Sequence, residues 1–309
     1  FLLYNFFGSY IPGVFGHADL GLERVIDNLF WGTQGIFGTV IGVASTYIFL
    51  FILFGAFLRR SGFIDFINDL ALAIAGRTAG GPAKVAVIGS GFMGMINGSG
   101  VANASTVGTV TIPLMKKTGF KGSYAGAVEA VAGTGGVIAP PVMGAASFVM
   151  AEFLGVPYRT IMFAALIPAI LYFCMCFMSV HFEAKKLGIH GLPKDRIPNI
   201  WKVFKKGGHL IIPVIVIIVL LVSGTTPLYA AVWSMISTVV VSWFRKETRM
   251  GPKAIMEALE EGAKGVLTVG AACTIVGVII GTIGLTSVGL TLGNNILELA
   301  GGHLFLVAV

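Results

Sequence analysis

Ser99, Asn103 and Thr106 lie within one turn or two of each other in the stretch NGSGVANASTVGTVTIPLMKK, Asn97 to Lys117. Each carries a neutral side-chain oxygen, and no charge appears before Lys116. With backbone carbonyls, such oxygens suit a weakly held monovalent cation such as Na⁺, whereas Ca²⁺ and Mg²⁺ want carboxylates. A second stretch, GTGGVIAPP, has the same character. Its Gly133, Gly135 and Gly136 permit backbone conformations closed to other residues. Its Pro140 and Pro141 remove donors and prevent a continuous helix. Helix amino ends favour anions, and unwound carbonyls coordinate small cations. Two interrupted apolar segments are the sequence pattern of a transporter binding site. Either one alone reads equally as a surface for close helix packing, as do Gly94-x-x-x-Gly98 and Gly277-x-x-x-Gly281.

Other chemistries find little support. Glu129 and Glu152 are isolated carboxylates on the second broken segment. Glu129 reads either as a proton carrier or, near the cytoplasmic end, as the partner of a lysine. An intramembrane enzyme needs a nucleophile–base pair or a metal cluster, and neither is visible, so no catalytic residue is expected. Cys174, Cys176 and Cys273 read as small buried hydrophobes. GSGFMG, Gly89 to Gly94, matches G-x-G-x-x-G but lacks the preceding strand and the following acid of a dinucleotide site. His17, His181, His190, His209 and His303 are scattered through loops and interfaces.

The elements that must position these residues are membrane helices. The chain is 56% apolar and only 11% charged, against about 25% charged in soluble domains. Apolar spans run over Gly35–Leu58, Thr160–Val180, Leu210–Ser223, Leu228–Phe244 and Val266–Leu285, with another starting at His303. Gly62–Arg77 and Pro252–Lys264 read as short interfacial helices. Pro82–Met115 and Ser123–Leu154 are the two interrupted segments. If Arg59 and Arg60 are cytoplasmic and Pro82–Met115 re-enters as a hairpin, then of 21 Lys and Arg only Arg24 and Arg159 fall outside. The net charge of +7 is therefore a topology signal, with membrane lipid as the environment and no nucleic-acid partner.

A non-helical hairpin tip at membrane depth needs protein or a watery cavity around it. The order of span, glycine, amphipathic helix and re-entry begins twice, at Tyr47 and at Ala272, with GLTLGNNILELAGG leading to His303 in the second copy. An inverted-topology repeat follows as an expectation. The chain opens at Phe1 and ends in HLFLVAV, and is read as a segment open at both ends, with the second hairpin beyond it.

The stretches GGPAKVAVIGSGFMGMINGSGVANASTVGTVTIPLMKKTGF and AGAVEAVAGTGGVIAPPVMGAASFVMAEFLGVPY resemble the large membrane subunit of TRAP transporters, the tripartite ATP-independent periplasmic family. The wording is most similar to fused permeases that pair with TAXI-type binding proteins. The resemblance implies an all-α polytopic elevator-type transporter with a re-entrant hairpin, a discontinuous helix and an inverted repeat whose second copy is truncated. It implies a sodium-driven importer of organic acids in a bacterial or archaeal cytoplasmic (inner) membrane. Its partners would be a periplasmic TAXI-type substrate-binding protein, a small organic-acid substrate and a small-subunit-like region of the same chain. There is no cofactor, and Na⁺ is the coupling ion. Ion contacts are implied at Ser99, Asn103, Gly133, Thr134 and Gly136. Substrate contacts are implied at Gly98, Ser105, Thr106, Ala139, Pro140 and Pro141. The organisation implied is a periplasmic connection over 1–34, a first repeat over 35–190, a connecting region over 191–265 and the start of a second repeat over 266–309. A binding-protein-independent carboxylate carrier coupled to Na⁺ or protons, and a channel built on re-entrant loops, stay open as alternatives.

Overall fold

The computed structural model describes residues 1–193, 195, 197–299 and 301, with only the backbone described at positions 97 and 102. Among the described residues all regular structure is helical. In chain order the helices are α1 (Leu2–Phe7), α2 (Leu22–Ile26), α3 (Thr39–Val43), α4 (Phe49–Arg60), α5 (Phe63–Ala75), α6 (Gly81–Asn97), α7 (Gly100–Lys117), α8 (Gly122–Ile138), α9 (Ala145–Leu154), α10 (Tyr158–Lys186), α11 (Ile200–Gly207), α12 (Ile212–Val222), α13 (Pro227–Ser242), α14 (Pro252–Thr286) and α15 (Val288–Leu299). A π-helical turn, Ala44–Ile48, continues α3 into α4. Four stretches among the described residues are long and apolar enough to cross a membrane: Thr39–Arg60, Tyr158–Lys186, Ile200–Val222 and Pro252–Thr286. They mark a polytopic membrane protein.

The chain forms two compact units, Thr46–Val266 and Phe1–Ser45 with Leu267–Val309. In the larger unit, α6 and α7 make a helical hairpin. Gly80 enters it in the left-handed conformation, and Pro82 occupies the first turn of α6, where a missing amide costs nothing. Gly98 leaves α6 at φ 61 and donates its N–H to Gly94 O. The hairpin, α8 and α10 share a core of small residues, including Ala83, Ala86, Ala125, Ala132 and Ala184. Small side chains let backbones approach closely, which is what holds helices together where lipid removes the hydrophobic drive.

Depth along α10 locates the hairpin tip. Lys84 Nζ lies 3.0 Å from His181 Nδ1, and a Cβ on Gly91 would sit 2.9 Å from the Phe173 ring. The two helices are therefore antiparallel neighbours. Carried on at about 1.5 Å per residue, Gly98 reaches the level of Leu166, roughly 12 Å short of the Tyr158 end. The turn lies alongside α10, not beyond it.

The basic clusters gather at one end of this unit. Arg59 Nε pairs with Glu261 at 2.9 Å and Arg60 with Glu257 at 3.0 Å. His209 Nε2 lies 3.0 Å from Thr248 Oγ1. At the opposite ends of α10 and α12, a Cβ on Gly224 would sit 2.9 Å from the Arg159 guanidinium. This segregation is the one the charge count requires.

Several sequence expectations change. Pro252–Lys264 and the span from Val266 are one helix, α14. No proline or left-handed residue interrupts it, so nothing stops the helix where its polarity changes. The break in the second interrupted segment starts later than expected, because Gly133, Gly135 and Gly136 are helical residues of α8. Their missing side chains serve packing instead. A Cβ on Gly135 would overlap the Tyr172 ring, and one on Gly136 would overlap Gly94 Cα. The chain leaves the helix only at Ala139–Gly144. Of the three cysteines, Cys273 alone is buried, and Cys174 is exposed.

In the smaller unit Asn5 Nδ2 donates to Thr282 Oγ1 at 2.8 Å. Gly277 and Gly281 admit the Gly35 backbone, since added Cβ atoms would lie 2.6 Å from Gly35 O and 3.1 Å from Gly35 Cα. The expected second amphipathic helix is α15. The span expected from His303 lies outside the described residues.

Candidate functional site

The hairpin turn and the break after α8 meet. A Cβ on Gly98 would sit 2.8 Å from Met143 O, and one on Gly144 would sit 3.3 Å from Gly98 O. Four helix ends converge there: the carboxyl ends of α6 and α8 and the amino ends of α7 and α9. Orphan carbonyls and orphan amides therefore lie side by side, one set suited to a cation and the other to an anion. Met143 holds this crossing at φ 61, a left-handed conformation uncommon outside glycine. Its side chain is buried, and Tyr158 Oη donates to Pro141 O at 3.1 Å and also to Val142 O. The aromatic stack of Phe148 on Tyr158, centroids 4.4 Å apart, fixes that tyrosine.

Asn103 lies one turn into α7 and is fully buried. Its Nδ2 donates to Ser90 O at 2.7 Å across the hairpin. Its Oδ1 is buried without a hydrogen-bond partner among the described residues. Gly133 makes room beside it: a Cβ there would lie 3.0 Å from Asn103 Nδ2 and 3.1 Å from Gly100 O. Gly100 in turn fits against Thr134, where a Cβ would sit 3.3 Å from Thr134 Oγ1. The cluster offers neutral oxygens and no charge.

Residues 4–309 match the family described as the tripartite ATP-independent periplasmic transporter, DctM component. The chain belongs to that family. DctM-family proteins are transporter permeases, not enzymes. Among curated proteins, this DctM-family chain is 24% identical over 239 residues to the putative TRAP transporter large permease protein of Haemophilus influenzae, covering 76% of this chain and 56% of that one. It is 25% identical over 168 residues to the 2,3-diketo-L-gulonate TRAP transporter large permease protein YiaN of Escherichia coli, covering 54% and 39%. It is 24% identical over 207 residues to the C4-dicarboxylate TRAP transporter large permease protein DctM of Rhodobacter capsulatus, covering 63% and 47%. The chain spans about half the length of the curated relatives it matches.

Within this DctM-family chain the expected ion residues Asn103, Gly133 and Thr134 come together near the turn that holds Ser99. Gly136 lies against Gly94 instead, on the packing face of α6. Of the expected substrate residues, Gly98 is in the crossing, and Pro140 and Pro141 form the break. Ser105 and Thr106 are exposed on α7: Ser105 shares the face of Val101 and Thr109, and Thr106 stands one turn from buried Asn103. Ala139 is buried and lines an apolar cavity of about 260 Å³ with Met95 and Phe173.

Sequence reasoning misplaced Glu129. Among the described residues it pairs with no lysine. Tyr172, the middle residue of α10, donates to Val131 O at 2.8 Å, which puts Glu129 close to mid-height. Its carboxyl group is buried and accepts from Ser90 Oγ and, at 2.5 Å, from Thr111 Oγ1. Ser90 and Thr111 escaped notice because a lone hydroxyl in an apolar helix usually bonds its own backbone. Gly100, Met143 and Gly144 were missed too. The glycines carried a signal, standing beside breaks already recognised. Met143 carried none.

Proposed function

We propose that this chain is the permease part of a sodium-coupled, binding-protein-dependent importer of organic acids. The observation that carries the reading is Asn103 Oδ1, buried and without a hydrogen-bond partner among the described residues, one turn from the crossing where four helix ends meet. Na⁺ held by Ser99, Asn103, Gly133 and Thr134 would complete its bonding and neutralise a carboxylate on the adjacent amino ends of α7 and α9. Neutralisation lowers the cost of carrying a charge through a low-dielectric region. Ser105, Thr106 and the Pro140–Pro141 break supply the substrate face.

Related permeases are named for C4-dicarboxylates and for 2,3-diketo-L-gulonate, and a small carboxylate is the substrate class we assign. The partners are a periplasmic binding protein of the TAXI type and a small-subunit-like region of the same polypeptide, in a bacterial or archaeal inner membrane. Transport runs by an elevator motion of the unit holding the hairpin. An inverted repeat is supported by one local likeness: α4 passes to α5 through left-handed Gly62 at φ 86, and α14 passes to α15 through left-handed Ser287 at φ 54. The test is uptake into proteoliposomes holding the full-length transporter, with its binding protein, in the presence and absence of a sodium gradient. Uptake that ignores sodium overturns the coupling. Uptake that needs no binding protein favours the binding-protein-independent carrier.

A further inference from the structure

Glu129 is the fully buried carboxyl group of the larger unit's hairpin core, and the ion and substrate readings above make no use of it. Three helices meet on it: α6 through Ser90, α7 through Thr111, and its own α8. Gly108 leaves room for it, since a Cβ there would lie 3.0 Å from Glu129 Cγ. Among the described residues no salt bridge reaches it.

The charged and titratable groups on the surrounding elements are engaged elsewhere or sit at the helix ends. Lys84 on α6 bonds Thr78 at 3.1 Å and His181 of α10 at 3.0 Å. Lys116 and Lys117 end α7. Tyr124 on α8 and Cys176 on α10 line the apolar groove between those helices, and Tyr172 is bonded to Val131 O. Glu183 and Lys186 face each other at the foot of α10, 3.9 Å apart. On α4, which also packs on α6, Arg59 and Arg60 are paired with Glu261 and Glu257.

The partners of Glu129 are both hydroxyls, and a hydroxyl donates or accepts. Thr111 has one hydrogen and two acceptors within reach, Glu129 Oε2 at 2.5 Å and Val107 O at 3.0 Å. With Glu129 ionised, Thr111 donates to the carboxylate. With Glu129 protonated, its O–H donates to Thr111, and Thr111 turns its hydrogen to Val107 O. The same side chains satisfy both states without rearranging the helices. The proton comes from and returns to bulk water, and only the carboxyl charge changes.

The second link runs through Ser90. Its hydroxyl donates to Glu129, and its carbonyl accepts from Asn103 Nδ2. Gly133, beside Asn103, stands one helical turn from Glu129, about 6 Å along α8.

We infer that Glu129 is an exchangeable proton site at mid-height in the hairpin core, and that proton occupancy there opposes cation binding at the Asn103–Gly133 cluster. The second half of this statement rests on the sodium reading, and the first does not. An ionised Glu129 attracts a cation one turn away, and a protonated one does not. Linkage makes the effect mutual, so bound Na⁺ must also favour release of the proton.

The test uses the full-length transporter in lipid nanodiscs, as wild type, E129Q and E129D. Infrared difference spectra between low and high pH read the C=O stretch of a protonated carboxylic acid directly. A band is expected in wild type, shifted in E129D and missing in E129Q. An identical spectrum in wild type and E129Q overturns the proton site. Sodium titrations followed by tryptophan fluorescence read the linkage. Wild type should bind Na⁺ about tenfold more weakly at low pH than at high pH, with E129Q weak at both and E129D retaining the dependence. An undiminished pH dependence in E129Q overturns the linkage. If no variant binds Na⁺ at any pH, the sodium reading and the linkage fall together, and the infrared band decides the proton site alone.

Discussion

A Cβ on Gly94 would sit 2.7 Å from Gly136 Cα, so α6 and α8 touch backbone to backbone. Backbone cannot rotate aside as a side chain does. Gly94→Ala or Gly136→Ala must push the helices apart and should cost about 1–3 kcal/mol, seen as a lower unfolding temperature in detergent. Unchanged stability in both variants would show that the contact is looser than described.

Gly98 and Gly126 make a matched contrast. Gly98 is left-handed at φ 61 with Met143 O in the path of any Cβ, whereas nothing lies within 4 Å of the Cβ position at Gly126, inside α8. Gly98→Ala should destabilise by about 1–2 kcal/mol from the backbone conformation alone. Gly126→Ala should be neutral or stabilising by up to about 1 kcal/mol. The same thermal measurement reads both, and equal effects would remove the special status of the turn.

Asn103→Ala deletes the donor to Ser90 O and leaves that carbonyl with its bond inside α6. The loss should be about 0.5–1.5 kcal/mol. The rise in unfolding temperature on adding NaCl, relative to choline chloride, should vanish in this variant and persist in Ser223→Ala. Persistence in Asn103→Ala would move the cation elsewhere.

Topology is open to labelling. With Cys174, Cys176 and Cys273 replaced by alanine, Arg60→Cys, Lys117→Cys and Lys186→Cys should react with an impermeant maleimide from one side of the membrane. Ser223→Cys should react from the other. Lys117→Cys labelling on the Ser223 side would mean that Pro82–Met115 crosses the bilayer once, not as a hairpin that returns to its own side.

Asp69 gives a pH signature outside the spans. Burial against α11 raises its pKa, the Lys206 ammonium offsets part of the rise, and Asp65 adds to it. A carboxyl group raised in the folded state holds its proton longer folded than unfolded. Its contribution to stability is full below the ordinary carboxylate value and is lost as pH rises through the folded value. Asp69→Asn should therefore flatten the fall in unfolding temperature across that window. A steeper fall would reverse the assigned sign.

Much of the molecule was legible in the chain itself. Hydropathy put spans at Gly35–Leu58 and Thr160–Val180, where the structure has Thr39–Arg60 and Tyr158–Lys186, and the N-G-S-G turn announced the end of α6, because glycine and apolar run length act locally. The charge count gathered Arg59, Arg60, Lys84 and Lys206 at one end before any contact was known, since moving each across lipid carries its own cost. Tertiary structure alone decided the roles of the remaining glycines. Gly98 bends the chain while Gly136 admits a neighbouring helix, and the residue type is identical because both uses need only a missing Cβ. It alone placed Glu129 at mid-height between two hydroxyls, and it alone put Met143 in a left-handed crossing. Those outcomes depend on which helix lies opposite, a relation between residues far apart in the chain that no local pattern encodes.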